Sequence, residues 1–416
     1  MSTTETKSQA EVPTATSGTA IAWLAAATMF VIGTDTFLVA PMLPTLAHAF
    51  HVPTSRSGWM VSAYALGFAL FALVAGPLSD GRDRRRVLLL GFAMFTVSTA
   101  LCGEARGFWT MILFRCLAGM SAALVSPQIW ASIPVLVPPS KIVRTMGFAG
   151  AGMSISQVVG VPIGGWLAAT SWHLPFWAIA GVSAVGWILL WKLFPSVPSA
   201  ATGKAGGFFG TYAGLFRSRI FTWYLFAYFV YQTGVFETFS FIGTWLNRSF
   251  GLSVAAVGAS MIALGTGMAI TSLFGSHLIR RIGEQRALLG AFVVLILAYG
   301  AVPFSPNVGL AIAGLAVGSA CIGLAYPIFM AMLLAQTTAA RGTVSSLSTT
   351  ALYAGTTIGG FVGGVLLASF HGFHGVTGFT VVALLLSLGI FAVTGAFRIR
   401  AAAAEPSTAE VEPSAV

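Results

Sequence analysis

Apolar runs of about 20 residues recur along this chain from Thr19 to Phe397, and they constrain its fold more than any other feature. A helix of that length crosses a hydrocarbon core of roughly 30 Å, because each residue adds about 1.5 Å. The runs are continuous, whereas an outer-membrane barrel would show short segments of alternating polar and apolar residues. We count twelve runs. The sequence therefore predicts an all-α membrane protein with 12 transmembrane helices.

Charged residues are few, and they are unevenly placed. Only 8% of the chain is charged, and the net charge is +10; soluble domains carry roughly 25% charged residues. In the predicted topology nearly all basic loop residues lie on one side, and only Arg56, Arg106 and Arg248 lie on the other. This bias predicts an inner-membrane protein of a bacterium with both termini in the cytoplasm. It leaves no basic surface that would favour a nucleic-acid partner.

A segment rich in Pro, Gly and Ser separates the sixth apolar run from the seventh. It predicts a disordered cytoplasmic tail at 1–18, a six-helix bundle at 19–194, a cytoplasmic linker at 195–218, a second six-helix bundle at 219–397 and a cytoplasmic tail at 398–416.

The two predicted bundles share an internal repeat. Helix-bending and small residues recur after 199 or 200 positions, namely Pro127 with Pro327, and Gly160, Gly164 and Gly165 with Gly359, Gly363 and Gly364. Many secondary transporters consist of duplicated helical halves that move about a shared site. The repeat predicts two pseudo-symmetric six-helix bundles of this kind.

Residues 76–86, GPLSDGRDRRR, resemble motif A of the major facilitator superfamily, which usually reads Gly-x-Leu-Ala-Asp-Arg-x-Gly-Arg-Arg. The matching positions are Gly76, Leu78, Asp80, Arg84 and Arg85. Gly81 and Asp83 stand where Arg and Gly are usual. The resemblance implies a cytoplasmic gate of Gly76, Asp80, Arg84 and Arg85, in which Asp80 meets the N-terminus of helix 11.

Two further motifs narrow the resemblance. RCLAG, residues 115–119, resembles motif B, and GVPIGG, residues 160–165, resembles the antiporter motif C with one residue inserted before the proline. Both are similar to motifs of the twelve-span drug:proton antiporters and their sugar-efflux and nucleoside-efflux relatives. The resemblance implies a proton-relay role for Arg115. Gly160, Pro162, Gly164 and Gly165 predict a kinked, closely packed helix, which we expect to seal against the glycines of helix 11.

Three charged residues lie deep inside predicted spans: Asp35, Arg115 and Glu237. An acidic side chain at membrane depth costs about 2.5–3.5 kcal/mol, so it usually faces a partner or a water-filled cavity. We therefore interpret the three residues as proton-coupling groups, with a charged pair of Asp35 and Arg115 that breaks on protonation. The alternatives are that this pair only holds helices 1 and 4 together, and that Glu237 is a neutral packing residue.

Polar and aromatic residues within the spans are candidates for a substrate cavity. They are Tyr64, Gln128, Gln157, Tyr231, Gln232, Phe236 and Phe241. Thr233, Ser240 and Thr244 share a helical face with Glu237, and this polar stripe predicts a water-filled cavity along helix 7. Aromatic residues of apolar helices also pack or face lipid, which is the alternative for this set.

These features together predict proton-coupled efflux of small organic molecules or drugs by alternating access. The sequence has no nucleotide-binding loop, so we expect the proton gradient rather than ATP to supply the energy. We expect a monomer with no cofactor, no metal and no catalytic residue. The alternatives are a sugar or nucleoside exporter, or a proton-linked importer, of the same fold. A membrane-embedded transferase is disfavoured because the predicted loops are short and hold few acids.

Overall fold

The computed structural model of the chain describes residues 18–79, 82–197, 213–336, 341–370 and 372–397. These residues form twelve long helices, and no strand occurs among them. The all-α prediction is therefore confirmed. The predicted linker and both predicted tails fall largely or wholly outside the described residues.

The first six long helices run back and forth across the molecule. They are α1 Gly18–Ala49, α2 Trp59–Ser79, α3 Arg84–Gly103, α4 Phe108–Leu136, α5 Pro139–Thr170 and α6 Leu174–Leu193. A one-turn helix, Thr54–Ser57, precedes α2.

The second six long helices follow the same up-and-down course. They are α7 Arg219–Phe250, α8 Val254–Ile282, α9 Glu284–Ala301, α10 Val308–Leu334, α11 Arg341–Ser369 and α12 His374–Val393.

By length and composition, eleven helices of the described residues can cross a membrane. The remaining long helix is α7, whose 32 residues match the length of α1. Polar side chains that include Gln232, Glu237 and Thr238 lower its hydropathy, and they are buried inside the protein. Because these polar groups face other helices rather than lipid, the lower hydropathy of α7 is compatible with a helix that crosses the membrane beside the other eleven.

The helix contacts repeat between the two halves. In the first half α1 packs on α5 and α6, α4 on α2 and α3, and α3 on α6. In the second half α7 packs on α11 and α12, α10 on α8 and α9, and α9 on α12. Adding six to each helix number converts the first set into the second. The two halves therefore have one architecture, as the sequence repeat predicts.

The most extensive contacts between the halves are those of α1 with α7, α2 with α11, and α5 with α8. Glycine allows close approach in the last two pairs. A Cβ atom on Gly364 of α11 would lie 2.7 Å from the carbonyl oxygen of Ser55, and one on Gly165 of α5 would lie 3.2 Å from that of Val254. The predicted seal between the glycines of α5 and α11 is thus wrong. Gly165 instead meets the start of α8, and Gly364 meets the one-turn helix before α2. The other four glycines pack within their own half, Gly160 and Gly164 against α1 and Gly359 and Gly363 against α7.

Helix α5 departs from regular α-helical geometry just before its proline. Residues Ser156–Gly160 form a π-helical turn, in which the N–H of Val161 donates to the carbonyl of Ser156. A π-turn holds one residue more than an α-helical turn and often occurs at functional sites. The turn ends at Gly160, and Val161 stands between that glycine and Pro162.

We call the end of the bundle that carries Arg84, Lys141 and Arg286 the basic face, and the opposite end the distal face. Among the described residues, the close glycine contacts between the halves lie toward the distal face, where Gly58 meets Gly360. The guanidinium of Arg248 on α7 also donates to the hydroxyl of Thr54 there. The structure is therefore closed at the distal face.

Replacing Gly58 with alanine should open this closure. A Cβ atom on Gly58 would overlap the main-chain carbonyl of Gly360, and the backbone there has no flexible atom that can yield. Overpacking costs about 1–3 kcal/mol, which corresponds to roughly a 5- to 150-fold change in a conformational equilibrium. We expect faster labelling of a cysteine at Thr244, which is 4% exposed, by a membrane-impermeant maleimide added at the distal side.

Gly181 on α6 provides the matched control, because a Cβ atom there has nothing within 4 Å. Both alanine variants carry the cysteine at position 244 in a background in which the native cysteines are replaced. In this background, Gly181→Ala should leave the labelling rate of that cysteine unchanged. Equal labelling rates in Gly58→Ala and the parent would show that this glycine contact does not hold the distal face closed.

Candidate functional site

A buried ion pair joins α1 to α4 within the N-terminal half. Arg115 Nη1 lies 2.8 Å from Asp35 Oδ2, and both side chains are 0% exposed. Arg115 Nη2 also donates to the main-chain carbonyl of Asp35 at 3.3 Å. No other ion pair occurs within the described parts of the chain. Each charge thus has a countercharge in an interior where a lone charge would be strongly unfavourable.

Close packing of α2 against α4 places the Arg115 side chain. A Cβ atom on Gly119 of α4 would overlap the carbonyl of Tyr64, so only glycine permits this separation. Arg115 Nε donates to the carbonyl of Met60 at 3.4 Å, and its Cζ lies 4.4 Å from the centroid of the Tyr64 ring. The guanidinium is therefore held by a carboxylate, by main-chain oxygens and by an aromatic face.

The Asp35 carboxylate has one free oxygen. Its Oδ2 binds Arg115, whereas its Oδ1 has no hydrogen-bond partner among the described residues. The neighbouring Thr36 hydroxyl lies 2.8 Å from the Ile32 carbonyl and 3.0 Å from the Tyr64 hydroxyl. A free carboxylate oxygen is a position where a proton binds without first displacing a hydrogen-bond donor.

Helix α2 connects the ion pair to the contact surface between the two halves, formed mainly by α1 with α7, α2 with α11 and α5 with α8, which we call the seam. Tyr64 contacts Arg115 and, one turn along the same helix, Phe68 stacks on Tyr353 of α11 at a centroid distance of 3.8 Å. The hydroxyl of Ser62 donates to the Thr357 carbonyl of α11 at 2.7 Å. Helix α2 is therefore in direct contact with both the ion pair and α11.

Glu237 lies in the C-terminal half, among α7, α11 and α12, and is 0% exposed. Its Oε2 is 3.0 Å from the hydroxyl of Thr380 on α12, and its Oε1 has no hydrogen-bond partner among the described residues. Gly359 and Gly363 of α11 pack against it, since a Cβ atom on Gly363 would lie 2.9 Å from Oε1. The structure thus separates the three predicted coupling residues into a pair in one half and a single carboxyl group in the other.

The polar stripe of α7 faces α11 rather than water. Thr233 and Ser240 donate to carbonyls of their own helix, and both are buried. A Cβ atom on Gly355 of α11 would come within 3.1 Å of the Thr233 hydroxyl oxygen. The predicted cavity therefore does not extend along Thr233 and Glu237, because the glycines of α11 cover them. Thr244, at the distal end of the stripe, does line a cavity, together with Thr54 and Arg248.

Two of the predicted substrate residues lie at the seam between the halves, away from the distal closure. Gln157, in the π-helical turn of α5, places its Nε2 3.4 Å from the sulfur of Met268 on α8. The ring of Phe236 on α7 stacks on Phe37 of α1 at a centroid distance of 6.5 Å. Both residues therefore meet the opposite half, as a site shared by two moving bundles requires.

The other predicted substrate residues are packed inside the protein. Tyr231 contacts the rings of Phe292 and Phe329 within the C-terminal half, which places it in a core rather than in a cavity between halves. Gln232 donates to the Tyr228 hydroxyl at 3.1 Å. The remaining three are buried as well: Phe241 at the distal closure, Tyr64 against the ion pair, and Gln128 with its Oε1 unpartnered among described residues.

Sequence reasoning missed several residues that complete these arrangements, among them Phe37, Tyr353 and Thr380. An aromatic or hydroxyl side chain is too common in membrane helices to stand out singly. One usable signal exists on α12, where Thr377, Thr380 and Ser387 recur at helical spacing and all are buried. Hydroxyl groups on one face of an otherwise apolar helix indicate a polar partner on a neighbouring helix.

At the basic face, Asp83 organises the start of α3. Its carboxylate accepts from the N–H of Arg85 at 3.0 Å as the helix N-cap. It also accepts from the Ser196 hydroxyl at 2.6 Å and the Val197 N–H at 3.0 Å, beyond the end of α6. Partial burial acts to raise the pKa of Asp83, but these hydrogen bonds outweigh it and lower that pKa below its usual value. Asp83, one of the two residues that depart from motif A, thus ties α3 to the segment after α6.

Of the predicted gate residues, Arg84 and Arg85 are within the described side chains. The N–H of Arg84 donates to the Val197 carbonyl at 3.1 Å, and the Arg85 guanidinium donates to the Trp191 carbonyl. Asp80 lies outside the described residues, so its contact with the N-terminus of α11 stays a prediction. Gly76 is part of α2.

Replacing Asp83 with alanine should lower the free energy of unfolding by about 0.5–2 kcal/mol at neutral pH, as loss of an N-cap does. Because folding lowers the pKa of Asp83, its contribution is complete above the usual value of about 3.9 and is lost as the pH falls through the folded-state pKa. Unfolding midpoints of the parent and Asp83→Ala, measured from pH 7 downward, test this. A difference that persists undiminished below the folded-state pKa would argue against the carboxylate as its cause.

The duplicated helical halves and the buried ion pair beside their seam define a multi-pass membrane protein with the architecture of a secondary transporter. A family model described as Major Facilitator Superfamily matches residues 25–318 and again residues 224–415. The chain belongs to the Major Facilitator Superfamily.

Relatives of known sequence are transporters of the same type. The chain is 45% identical over 369 residues to the uncharacterized MFS-type transporter YceJ of Bacillus subtilis, covering 89% of this chain and 95% of that protein. It is 26% identical to the inner membrane transport protein YdhP of Escherichia coli, covering 83% and 88%. It is 31% identical to a probable sugar efflux transporter of Helicobacter pylori, covering 42% and 45%.

Solved structures share the fold. A D-xylose-proton symporter superposes with a TM-score of 0.73 at 14% identity, covering 90% of this chain and 97% of that one. The nucleoside transporter NupG superposes with a TM-score of 0.72 at 14% identity, covering 92% and 99%. The twelve-helix major facilitator fold is thereby confirmed.

Proposed function

We propose that this chain is a proton-coupled exporter of small organic molecules that works by alternating access between its two six-helix halves. The observation that carries the proposal is the Asp35–Arg115 pair, which is 0% exposed, joins α1 to α4 at 2.8 Å and leaves Asp35 Oδ1 free. An ion pair in this interior persists as long as both partners are charged. Protonation of Asp35 removes one charge and releases Arg115 from its carboxylate.

The ion pair acts on the seam through α2. Arg115 holds the Met60 carbonyl and the Tyr64 ring, and α2 carries Phe68 onto Tyr353 of the other half. Release of Arg115 therefore loosens the element that packs along α11. This gives a physical link between proton binding and the contact between halves, which antiport by alternating access requires.

In this proposal the basic face is cytoplasmic, and the protein lies in the inner membrane with both termini inside, since basic loops are retained on that side. The distal closure then seals the outer side. Gly76, Asp80, Arg84 and Arg85 form the cytoplasmic gate, and Gln157 and Phe236 are the seam residues best placed to meet a substrate. The functional unit is a monomer, because each chain contains both halves.

Export of a sugar is the second candidate. It rests on the 31% identity to a probable sugar efflux transporter, which covers 42% of this chain. Export of drugs, nucleosides or other small organic molecules uses the same mechanism with a different cavity surface, so substrate choice is a separate question from coupling.

Reconstitution of the purified chain in proteoliposomes tests the function. Thermal stabilisation by a panel of antibiotics, sugars and nucleosides first selects a substrate, and uptake of that substrate is then measured under an imposed pH gradient. An antiporter should move the substrate against the direction of proton flow, and inverting the gradient should reverse substrate movement. Movement in the same direction as protons would instead identify a symporter.

A further inference from the structure

The hydroxyl of Thr380 on α12 is the centre of a small buried cluster of oxygen atoms. It lies 2.6 Å from the Thr238 hydroxyl, 2.8 Å from the Gly234 carbonyl and 3.0 Å from Glu237 Oε2. Thr238, Glu237 and Thr380 are each 0% exposed. All three distances are within the range of O–H···O hydrogen bonds, so each contact requires a proton between its two oxygens.

The hydroxyl groups present supply only two of these three protons. A threonine hydroxyl donates one hydrogen bond and accepts two, whereas a carbonyl and an ionised carboxylate only accept. If Glu237 is ionised, the single proton of Thr380 serves both Glu237 and the Gly234 carbonyl, so these two contacts cannot both be full hydrogen bonds. If Glu237 is protonated, Thr380 accepts from Glu237 and Thr238 and donates to Gly234, and all three contacts are satisfied.

The surroundings of Glu237 also favour the neutral form. No cation is paired with it within the described parts of the chain, and its Oε1 has no hydrogen-bond donor there. The packed face of α11 is made of Gly359 and Gly363, and the titratable side chain facing it from α9 is the buried Tyr299. A buried carboxylate with no cation and with one of its oxygens lacking any donor is strongly disfavoured, whereas a neutral carboxyl group that donates one hydrogen bond is not.

We infer that Glu237 holds a proton in this conformation, and that the hydroxyl of Thr380, oriented by Thr238, accepts the hydrogen bond from the protonated carboxyl group. The two intramembrane acids thus have opposite states: Asp35 is ionised and paired with Arg115, whereas Glu237 is protonated. The assignment deepens the proposed function, on which its meaning for transport rests, by making Glu237 a second proton site inside the C-terminal half. Thr380 and Thr238 are its positioning residues.

Infrared spectroscopy of the purified protein tests this assignment without any substrate. The carbonyl stretch of a protonated carboxyl group should be present at neutral pH, and it should disappear in Glu237→Gln and persist in Asp35→Asn. Carbon-13 labelling of glutamate carboxyl groups in the parent protein should shift the same band, which needs no variant. Absence of the band at neutral pH, or a band that does not respond to glutamate labelling, would overturn the inference.

The role of Thr380 is tested by a matched pair of threonines on α12. Thr380→Val removes the acceptor and should move the band to the frequency of a carboxyl group without that hydrogen bond, whereas Thr380→Ser should keep its position. Thr377, which is 1% exposed and donates to its own helix's Phe373 carbonyl at 3.1 Å, is the control. Thr377→Val should leave the band in place. A band that is identical in Thr380→Val and the parent would exclude Thr380 as the acceptor.

The infrared spectra and the transport assay test separate claims, so either claim can be refuted while the other stands. A Glu237 band without proton-coupled transport would support the protonated Glu237 and refute the proposed proton-coupled export. Proton-coupled transport without the band would support the proposed export and refute the protonated Glu237, and coupling would then rest on Asp35 alone.

Discussion

Replacing Arg115 with methionine should lower the free energy of unfolding by about 3–5 kcal/mol, the usual cost of removing one member of a buried ion pair. The substitution leaves the Asp35 carboxylate, which is 0% exposed, without its countercharge. It also removes the donor to the Met60 carbonyl. Denaturant or thermal unfolding of the protein in detergent measures the loss.

The double variant Asp35→Leu with Arg115→Met is the matched control. Replacing both members of a buried pair with apolar side chains is often neutral or stabilising, because no charge then remains in the interior. The double variant should therefore unfold close to the parent. If the single variant keeps the parent's midpoint, or the double variant is as unstable as the single one, Arg115 does not serve to neutralise Asp35.

Replacing Asp35 with asparagine should abolish substrate accumulation driven by a pH gradient. The side chain keeps its size but neither binds a proton nor carries a charge, so Arg115 has no partner whose charge alternates. Exchange of substrate across the membrane with no gradient should persist, because it needs the seam between halves but no proton binding. Accumulation and exchange are compared in the same proteoliposome preparation.

Asp83→Asn is the control for a lost carboxylate, because Asp83 lies at the basic face on the end of α3 and outside the membrane interior. It should retain gradient-driven accumulation. If Asp35→Asn accumulates substrate as the parent does, the ion pair only holds α1 and α4 together, and Glu237 becomes the candidate for coupling.

Features with a large energetic cost were predictable from the sequence. Long apolar runs have no stable alternative to membrane helices, so the twelve helices follow from them. Asp35 and Arg115 stand out for the same reason, because a charge at membrane depth needs a partner, and the structure places them 2.8 Å apart. Motif B places Arg115 on α4 together with Gly119, which sets the α2–α4 separation.

Features that depend on which surfaces meet were not predictable in this way. The glycines of α5 indicate a close helix approach but not its partner, which is α1 for Gly160 and Gly164 and Gly258 of α8 for Gly165. Helical periodicity puts Thr233 and Glu237 of α7 on one face, but it does not tell whether water or another helix covers that face. Tyr231 looks like a cavity residue by type, yet its ring packs with Phe292 and Phe329.

In the proposed mechanism, proton binding at Asp35 drives the movement of substrate in the opposite direction. The internal pH of proteoliposomes is followed when substrate is added outside in the absence of an imposed gradient. By this mechanism, substrate entry through the parent protein should be accompanied by proton exit, whereas Asp35→Asn should show substrate entry with no pH change. Equal proton movement in the parent and in Asp35→Asn, or none in the parent, would contradict it.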